Sequence, residues 1–143
     1  MPKIVCDERK CSACLACVVA CIDQHSRDIA PGAVSCRIYE KKKSEKTDWQ
    51  RYITRSCLHC ENAPCVEACP VGALYTDERG FVIPLQDKCI GCRACARACP
   101  HDVPRYDSEN KIVKCDGCSD RIAMGLEPAC VSTCNTGALK LEK

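Results

Sequence analysis

The sequence predicts a small α+β fold, in which short strands and short helices surround repeated groups of cysteines. The chain has 143 residues, and 18 of them are cysteine. Aromatic residues are scarce, with one Phe, one Trp and four Tyr. An ordinary apolar core would therefore be thin, and something besides aromatic burial must offset the conformational entropy of ordering the chain.

Short stretches of strand-like composition separate the cysteine groups. They lie at 3–6, 35–39, 50–54, 74–76 and 81–84. The last two are predicted to form a hairpin with Gly80 in its turn. The charged stretch 40–48 is predicted to be a solvated loop. The stretch 110–114 is a candidate for a further strand that is too short for its composition to decide.

Short helices are predicted where each cysteine group ends. The final C-x3-C step of a group spans about one helical turn. These steps lie at 17–21, 65–69, 95–99 and 130–134. Pro70 and Pro100 follow two of the steps directly, so the helices there are expected to end.

Sixteen cysteines form four groups of four, which we interpret as an internal repeat. The first group is Cys11, Cys14, Cys17 and Cys21, and the third, with the same C-x2-C-x2-C-x3-C spacing, is Cys89, Cys92, Cys95 and Cys99. The second, with a wider middle gap, is Cys57, Cys60, Cys65 and Cys69. The fourth, with a long middle gap, is Cys115, Cys118, Cys130 and Cys134.

The C-x2-C-x2-C triplets favour a 4Fe-4S cluster over other uses of cysteine. Such a loop offers three soft thiolates to three irons, and the fourth iron takes a distant thiolate. A cysteine that follows after three residues generally ligates the other cluster of a pair. Two C-x2-C pairs could instead complete a zinc site, so a zinc-stabilised interaction module stays open as an alternative, beside a disulfide scaffold.

Charge and composition favour a soluble protein in a reducing cytoplasm. The first residues are charged where a signal peptide needs an apolar stretch, and the longest apolar run, 14–22, is too short to cross a bilayer. We therefore expect no direct membrane insertion. The formal charge is +2, but sixteen thiolates around four iron–sulfur cores would add about −8. An acidic holoprotein is a poor partner for nucleic acid.

The motifs of catalysis are missing from the sequence. It has no evident carboxylate pair, no Ser-His-Asp order and no Gly-rich phosphate loop. The protein is therefore predicted to be a non-catalytic electron-transport protein, and any catalysis would belong to a partner.

With these motifs the sequence resembles the four-cluster ferredoxin-like electron-transfer subunits of molybdenum and tungsten oxidoreductases, including the DMSO reductase type, and of some hydrogenases. The resemblance rests on the order of the four groups, the gaps within groups two and four, and Cys-Pro after groups two and three. Asn135 departs from it, since the family often has proline there. The resemblance implies tandem ferredoxin-like bicluster folds around four 4Fe-4S clusters.

In that family the first and fourth groups build one cluster pair, and the second and third build the other. The resemblance implies a single domain, 1–143, with an outer half at 1–50 and 108–143 and an inner half at 51–107. The implied ligands are Cys11, Cys14, Cys17 and Cys134 for cluster 1; Cys21, Cys115, Cys118 and Cys130 for cluster 2; Cys57, Cys60, Cys65 and Cys99 for cluster 3; and Cys69, Cys89, Cys92 and Cys95 for cluster 4.

The function implied by the resemblance is a relay of single electrons in anaerobic metabolism. One partner would be the catalytic subunit of a molybdenum or tungsten enzyme, such as an aldehyde or formate oxidoreductase, or of a hydrogenase. The other would be a ferredoxin or a flavin subunit. Relatives that dock on membrane subunits usually carry longer insertions, so a soluble complex is expected. A free polyferredoxin shuttle is the alternative.

Several residues outside the ligand sets have two interpretations. Cys6 and Cys36 are expected to be buried thiols rather than spare ligands. His59 is expected to face water, with donation to a cluster sulfur as the alternative, and the same alternative applies to His101. His25 suits the end of a helix.

Two features of the charged stretch could serve a partner. Trp49 could anchor a partner subunit or pack on its own domain, and Lys41, Lys42 and Lys43 are expected at a hairpin tip rather than in a steering patch.

Overall fold

A computed structural model describes residues 2–25, 33–43, 45–46 and 50–142. Its strands are β1 (Lys3–Cys6), β2 (Ile38–Lys43), β3 (Gln50–Arg55), β4 (Leu74–Thr76), β5 (Val82–Pro84), β6 (Arg105–Tyr106), β7 (Ile112–Val113) and β8 (Leu139–Glu142). Its α-helices are α1 (Ala16–His25), α2 (Pro64–Ala68), α3 (Ala94–Ala98), α4 (Ser119–Ala123) and α5 (Ala129–Thr133), and a 3₁₀ turn covers Gln86–Lys88. The α+β prediction is confirmed.

The strands pair only in twos, as four antiparallel ribbons among the described residues. β1 pairs with β8, so that Lys3 lies opposite Glu142 and Cys6 opposite Leu139. This ribbon joins two segments from opposite ends of the sequence, and α1 packs against α5 beside it. The first and fourth cysteine groups therefore lie together, while α2 against α3 brings the second and third groups together.

The hairpin of β2 and β3 corrects the sequence prediction. β2 continues to Lys43 instead of ending at Tyr39, so the three lysines lie in a strand and not at a hairpin tip. Pairing with β3 keeps the polar residues of β2 in an extended strand, although their composition favours a loop. The Tyr39 ring stacks on the Tyr52 ring, and Arg55 donates to the Glu40 carboxylate. Trp49 lies outside the described residues.

The hairpin of β4 and β5 is confirmed with its turn. Gly80 has φ +91°, and the Asp77 carboxylate accepts the backbone N–H groups of Arg79 and Phe81. The candidate strand at 110–114 is confirmed as β7. Its partner β6 and helix α4 were not identified from the sequence.

The one-turn helices end at their cysteines, as predicted. Cys69, Cys99 and Cys134 follow α2, α3 and α5 with extended backbone angles. That extension directs the backbone away from the helix, and Pro70 and Pro100 then prevent its resumption. Helix α1 is longer and continues past Cys21 to His25.

Cysteine side chains form much of the interior. One buried cluster joins Cys17, Cys21, Cys57, Cys115 and Cys130 with a few aliphatic residues. A second contains Cys65, Cys89 and Cys95, with Ile112 and Val82. None of the helices in the described part of the molecule has the length and apolar character that a bilayer span requires.

We predict that Gly117→Ala destabilises the protein more than Gly137→Ala does. Both glycines have φ near +70°, at +72° and +70°, so each alanine incurs a left-handed strain of about 1–2 kcal/mol. At Gly117 the new Cβ would also overlap the buried Phe81 ring, whereas at Gly137 it has open space. Overpacking adds about 1–3 kcal/mol. Thermal unfolding of anaerobically purified variants measures the difference, and equal losses would contradict this packing account.

Candidate metal centres

Four cysteines from two groups surround one cavity. Its cysteines are Cys69, Cys89, Cys92 and Cys95. One of them comes from the second group and three from the third, which is the combination that the resemblance implies for cluster 4. Val71, Ile90, Tyr106 and Ile112 are among the other residues that line it.

A second set of thiols from the second and third groups lies together. Burial raises the pKa of Cys65 to about 11, and the nearby Cys57 and Cys99 contribute to the rise. Cys99 comes from the third group, while Cys57 and Cys65 come from the second. Cysteines of these two groups therefore lie together here also.

The first and fourth groups have the corresponding arrangement. Burial raises the pKa of Cys118 to about 11, and the nearby Cys130 and Cys21 contribute. Cys21 belongs to the first group and the other two to the fourth. Cys17 and Cys134, from the set implied for cluster 1, lie in or against the same buried cluster.

The C-x2-C loops share one backbone conformation. The residue before the second cysteine has positive φ in every group: +60° at Ala13, +48° at His59, +71° at Gly91 and +72° at Gly117. In groups two, three and four the backbone N–H of this residue donates to the sulfur of the first cysteine. The N–Sγ distances are 3.3 Å, 3.4 Å and 3.3 Å. Such donation favours the thiolate, which is the form that binds iron.

Side chains that the sequence analysis missed also contact sulfur. The Tyr106 hydroxyl lies 2.9 Å from Cys95 Sγ, and burial raises the pKa of that hydroxyl. Hydroxyls of Thr54 and Thr136 lie 3.4 Å from Cys17 Sγ and 3.6 Å from Cys134 Sγ. These contacts either join residues that are distant in sequence or involve common residue types. No local sequence motif therefore identifies them.

His59 is fully buried, at 0% exposure, so the prediction that it faces water is wrong. The Phe81 ring meets its ring edge-on at 5.2 Å. The Val82 N–H donates to Nδ1 across 2.9 Å, which places the proton of the neutral ring on Nε2. Burial, with Lys114 nearby, lowers the His59 pKa to about 3, so the ring is neutral. Nε2 has no partner among the described residues, and donation to a cluster sulfur stays a prediction.

His25 ends α1, as expected, and its ring reaches the fourth group. Nε2 lies 3.3 Å from Cys118 Sγ and 3.7 Å from Asp116 Oδ1. These three side chains could hold a metal ion, but Cys118 belongs to the set implied for cluster 2. His101 is exposed, and its carbonyl accepts a hydrogen bond from Arg55.

The two extra cysteines lie beside implied ligands. Cys36 is buried, which confirms the expectation, whereas Cys6 is only partly buried. A hydrogen bond from the Cys36 thiol lowers the pKa of Cys21 to about 6, and the same bond raises the pKa of Cys36. Burial, reinforced by Cys11, raises the pKa of Cys6. Each extra thiol can therefore donate to a ligand sulfur.

Two buried cations lie among the thiols without a carboxylate partner in the described part of the protein. Arg37, at 4% exposure, donates to Thr54 and Ser56 and reaches Cys130 Sγ at 3.8 Å. Lys114, also at 4%, donates to the carbonyls of Val82 and Cys115. A buried charge needs compensation, and anionic thiolate-bound clusters would supply it. The residues present therefore fit 4Fe-4S groups.

Cysteines of different groups lie together, loop N–H groups donate to their sulfurs, and two buried cations lie nearby. These features are typical of an iron–sulfur electron carrier. Residues 47–143 match the family model described as a 4Fe-4S dicluster domain. A subunit of the anaerobic dimethyl sulfoxide reductase of Escherichia coli (strain K12) is 40% identical over 146 residues, which cover 93% of this sequence and 69% of that protein. Thiosulfate reductase electron transfer subunit PhsB of Salmonella typhi is 44% identical over 140 residues, covering 94% and 71%.

This protein belongs to the family of four-cluster ferredoxin-like electron-transfer subunits of molybdenum oxidoreductases. It is a non-catalytic iron–sulfur subunit with four 4Fe-4S clusters. One alternative is thereby wrong: the family model describes 4Fe-4S binding, which overturns the zinc-stabilised interaction module.

We predict that Tyr106→Phe lowers the reduction potential of one cluster. The substitution removes the hydroxyl that contacts Cys95 Sγ but keeps the ring that packs under the Arg93 guanidinium. Loss of a hydrogen bond to sulfur, about 1 kcal/mol, makes the added electron less stable. A redox titration followed by electron paramagnetic resonance measures this shift. Tyr75→Phe at an exposed tyrosine is the control, and equal potentials in both variants would exclude the effect.

Proposed function

We propose that the sixteen grouped cysteines hold the four clusters in the crosswise sets given above, and that the protein conducts electrons along them in the order of clusters 1, 2, 3 and 4. The observation that carries this proposal is the exposure of the cysteines. Of the sixteen, Cys14 and Cys92 are the exposed ones. One belongs to the set for cluster 1 and the other to the set for cluster 4, so each end of the series has a thiolate at the surface.

Contacts between the sets support the proposed order. Cys130 of the second set is buried beside Cys17 of the first. Burial, together with this neighbouring thiol, raises the pKa of Cys130. Cys115 of the second set is influenced by Cys57 of the third, although burial is the larger cause of its raised pKa, about 12. Helices α2 and α3, which carry cysteines of the third and fourth sets, pack against each other. The four cysteines of the second set are all buried.

The protein's own residues determine how such a relay works. A bound 4Fe-4S cluster takes up or releases one electron. Thiolates fix each cluster, loop N–H groups and hydroxyls stabilise negative charge on sulfur, and burial keeps water from the middle sets. Fixed dipoles and excluded water reduce the reorganisation that accompanies each electron, which suits conduction rather than chemistry on a substrate.

The partner in this proposal is the catalytic subunit of a molybdenum reductase. Relatives at 40% and 44% identity are named as parts of dimethyl sulfoxide and thiosulfate reductases. Tungsten aldehyde or formate enzymes, hydrogenases and flavin subunits gain no support from these relatives. We include a reducing, cytoplasmic compartment in the proposal, because free thiolates are needed to assemble the clusters.

The ligand assignment predicts how iron content responds to single substitutions. The parent protein should contain about sixteen irons per polypeptide, four for each cluster. Cys95→Ser removes a ligand from the set for cluster 4 and should lower the content toward about twelve. Cys36→Ser changes an equally buried cysteine outside the sets and should leave it unchanged. Iron analysis of anaerobic preparations measures the iron content per polypeptide, and equal content in both variants would refute the ligand assignment.

The proposed partner predicts the size at which the protein migrates. The polypeptide by itself has a mass of 15.7 kDa. In gel filtration of a native anaerobic extract it should elute with a much larger protein that contains molybdenum. Elution of all the iron–sulfur protein at its own mass would refute a stable complex with a catalytic subunit.

A further inference from the structure

A buried series of hydrogen bonds connects the second cysteine loop to the fourth. His59 N donates to Cys57 Sγ, and the His59 ring accepts the N–H of Val82 at 2.9 Å. The Val82 carbonyl accepts from Lys114 Nζ at 2.6 Å, and Lys114 also donates to the carbonyl of Cys115 at 2.5 Å. We name the residues His59, Val82 and Lys114 the central bridge.

The central bridge lies where the inner and outer halves meet. Cys57 belongs to the ligand set proposed for cluster 3, and Cys115 to the set proposed for cluster 2. Both cysteines belong to one cluster of packed, buried side chains, so the two ligand sets lie close together. An electron that moves from one half to the other therefore passes beside this bridge.

Lys114 is the charged member of the central bridge. Its side chain is buried at 4% exposure, and its two hydrogen-bond acceptors are neutral carbonyls. Among the described residues no carboxylate forms an ion pair with it. A lone buried ammonium is costly unless negative charge lies close. Clusters held by thiolates on both sides of the bridge provide that charge, and an added electron increases it.

His59 contributes a second polar group that lacks a protein partner. Its ring is wholly buried, Nδ1 is used by Val82, and the proton on Nε2 has no acceptor among the described residues. Buried N–H donors are nearly always satisfied, so this one indicates an acceptor that the polypeptide does not supply. A sulfur atom in the cluster bound by the adjacent Cys57 loop meets that need.

We infer that the central bridge sets the reduction potentials of the two middle clusters, with the Lys114 charge raising both of them. This inference rests on the proposed ligand sets. In each transfer one electron leaves the reduced cluster on one side and enters the oxidised cluster on the other, and no bond forms or breaks. Because Lys114 is near both sides, it favours the reduced form of each cluster.

The test is a redox titration of the full-length protein, loaded with its clusters and followed by electron paramagnetic resonance. Lys114→Met removes the charge at similar side-chain length. Lys140→Met removes the same charge from an exposed position on β8 and is the control. We expect Lys114→Met to weaken reduction of two of the four clusters at least tenfold, a fall of about 59 mV for a one-electron couple. The other two clusters, and all four in the control, should stay within error of the parent.

Other outcomes separate this inference from the function on which it rests. Iron content near the parent value with four unchanged potentials would overturn the role of Lys114 and leave the ligand sets intact. An equal fall in all four potentials would overturn the local effect. If Lys114→Met fails to hold iron, Lys114→Gln retains a donor without the charge. Loss of iron in both variants would show that Lys114 is structural, and would overturn the inference.

Discussion

The structure depends on the burial of cysteine sulfur that must carry negative charge. A thiol in a thin core prefers its neutral form, and burial accordingly raises the pKa of Cys65, Cys118 and Cys115 to about 11, 11 and 12. Iron reverses this preference, because it binds the thiolate and offsets the desolvation. The positive-φ residue of each C-x2-C loop, the hydroxyls that contact sulfur and the two buried cations all help to stabilise the negative charge on sulfur.

The same constraint explains the functional design. A protein of 143 residues with strands of two to six residues has little regular structure to exclude water. The proposed crosswise ligation would compensate, because each cluster would join segments that are distant in sequence, as the pocket lined by Cys69, Cys89, Cys92 and Cys95 illustrates. Stability and conduction would then have one origin, because the links that close the fold would also be the redox centres. Exposed Cys14 and Cys92 leave a surface contact at each end.

Local spacing predicted the parts that depend on local chemistry. The C-x3-C helices and the hairpin turn at Gly80 were predicted because their geometry is set by neighbours a few residues away. The parts that were missed depend on distant partners. Polar residues of β2 are extended because β3 pairs with them, and His59 is buried because Phe81 and Val82 enclose it. Lys114, next to Cys115, gave no sign of burial, since its acceptors include a carbonyl 32 residues away.

The most direct test of this account is removal of the iron. Anaerobic chelation of the purified protein should release its iron and its tertiary structure together, seen as a collapse of amide hydrogen-exchange protection in β1, β8 and the short helices α2 to α5. If the iron-free protein kept the protection of the loaded form, thiolate-bound clusters would not be what holds this fold together.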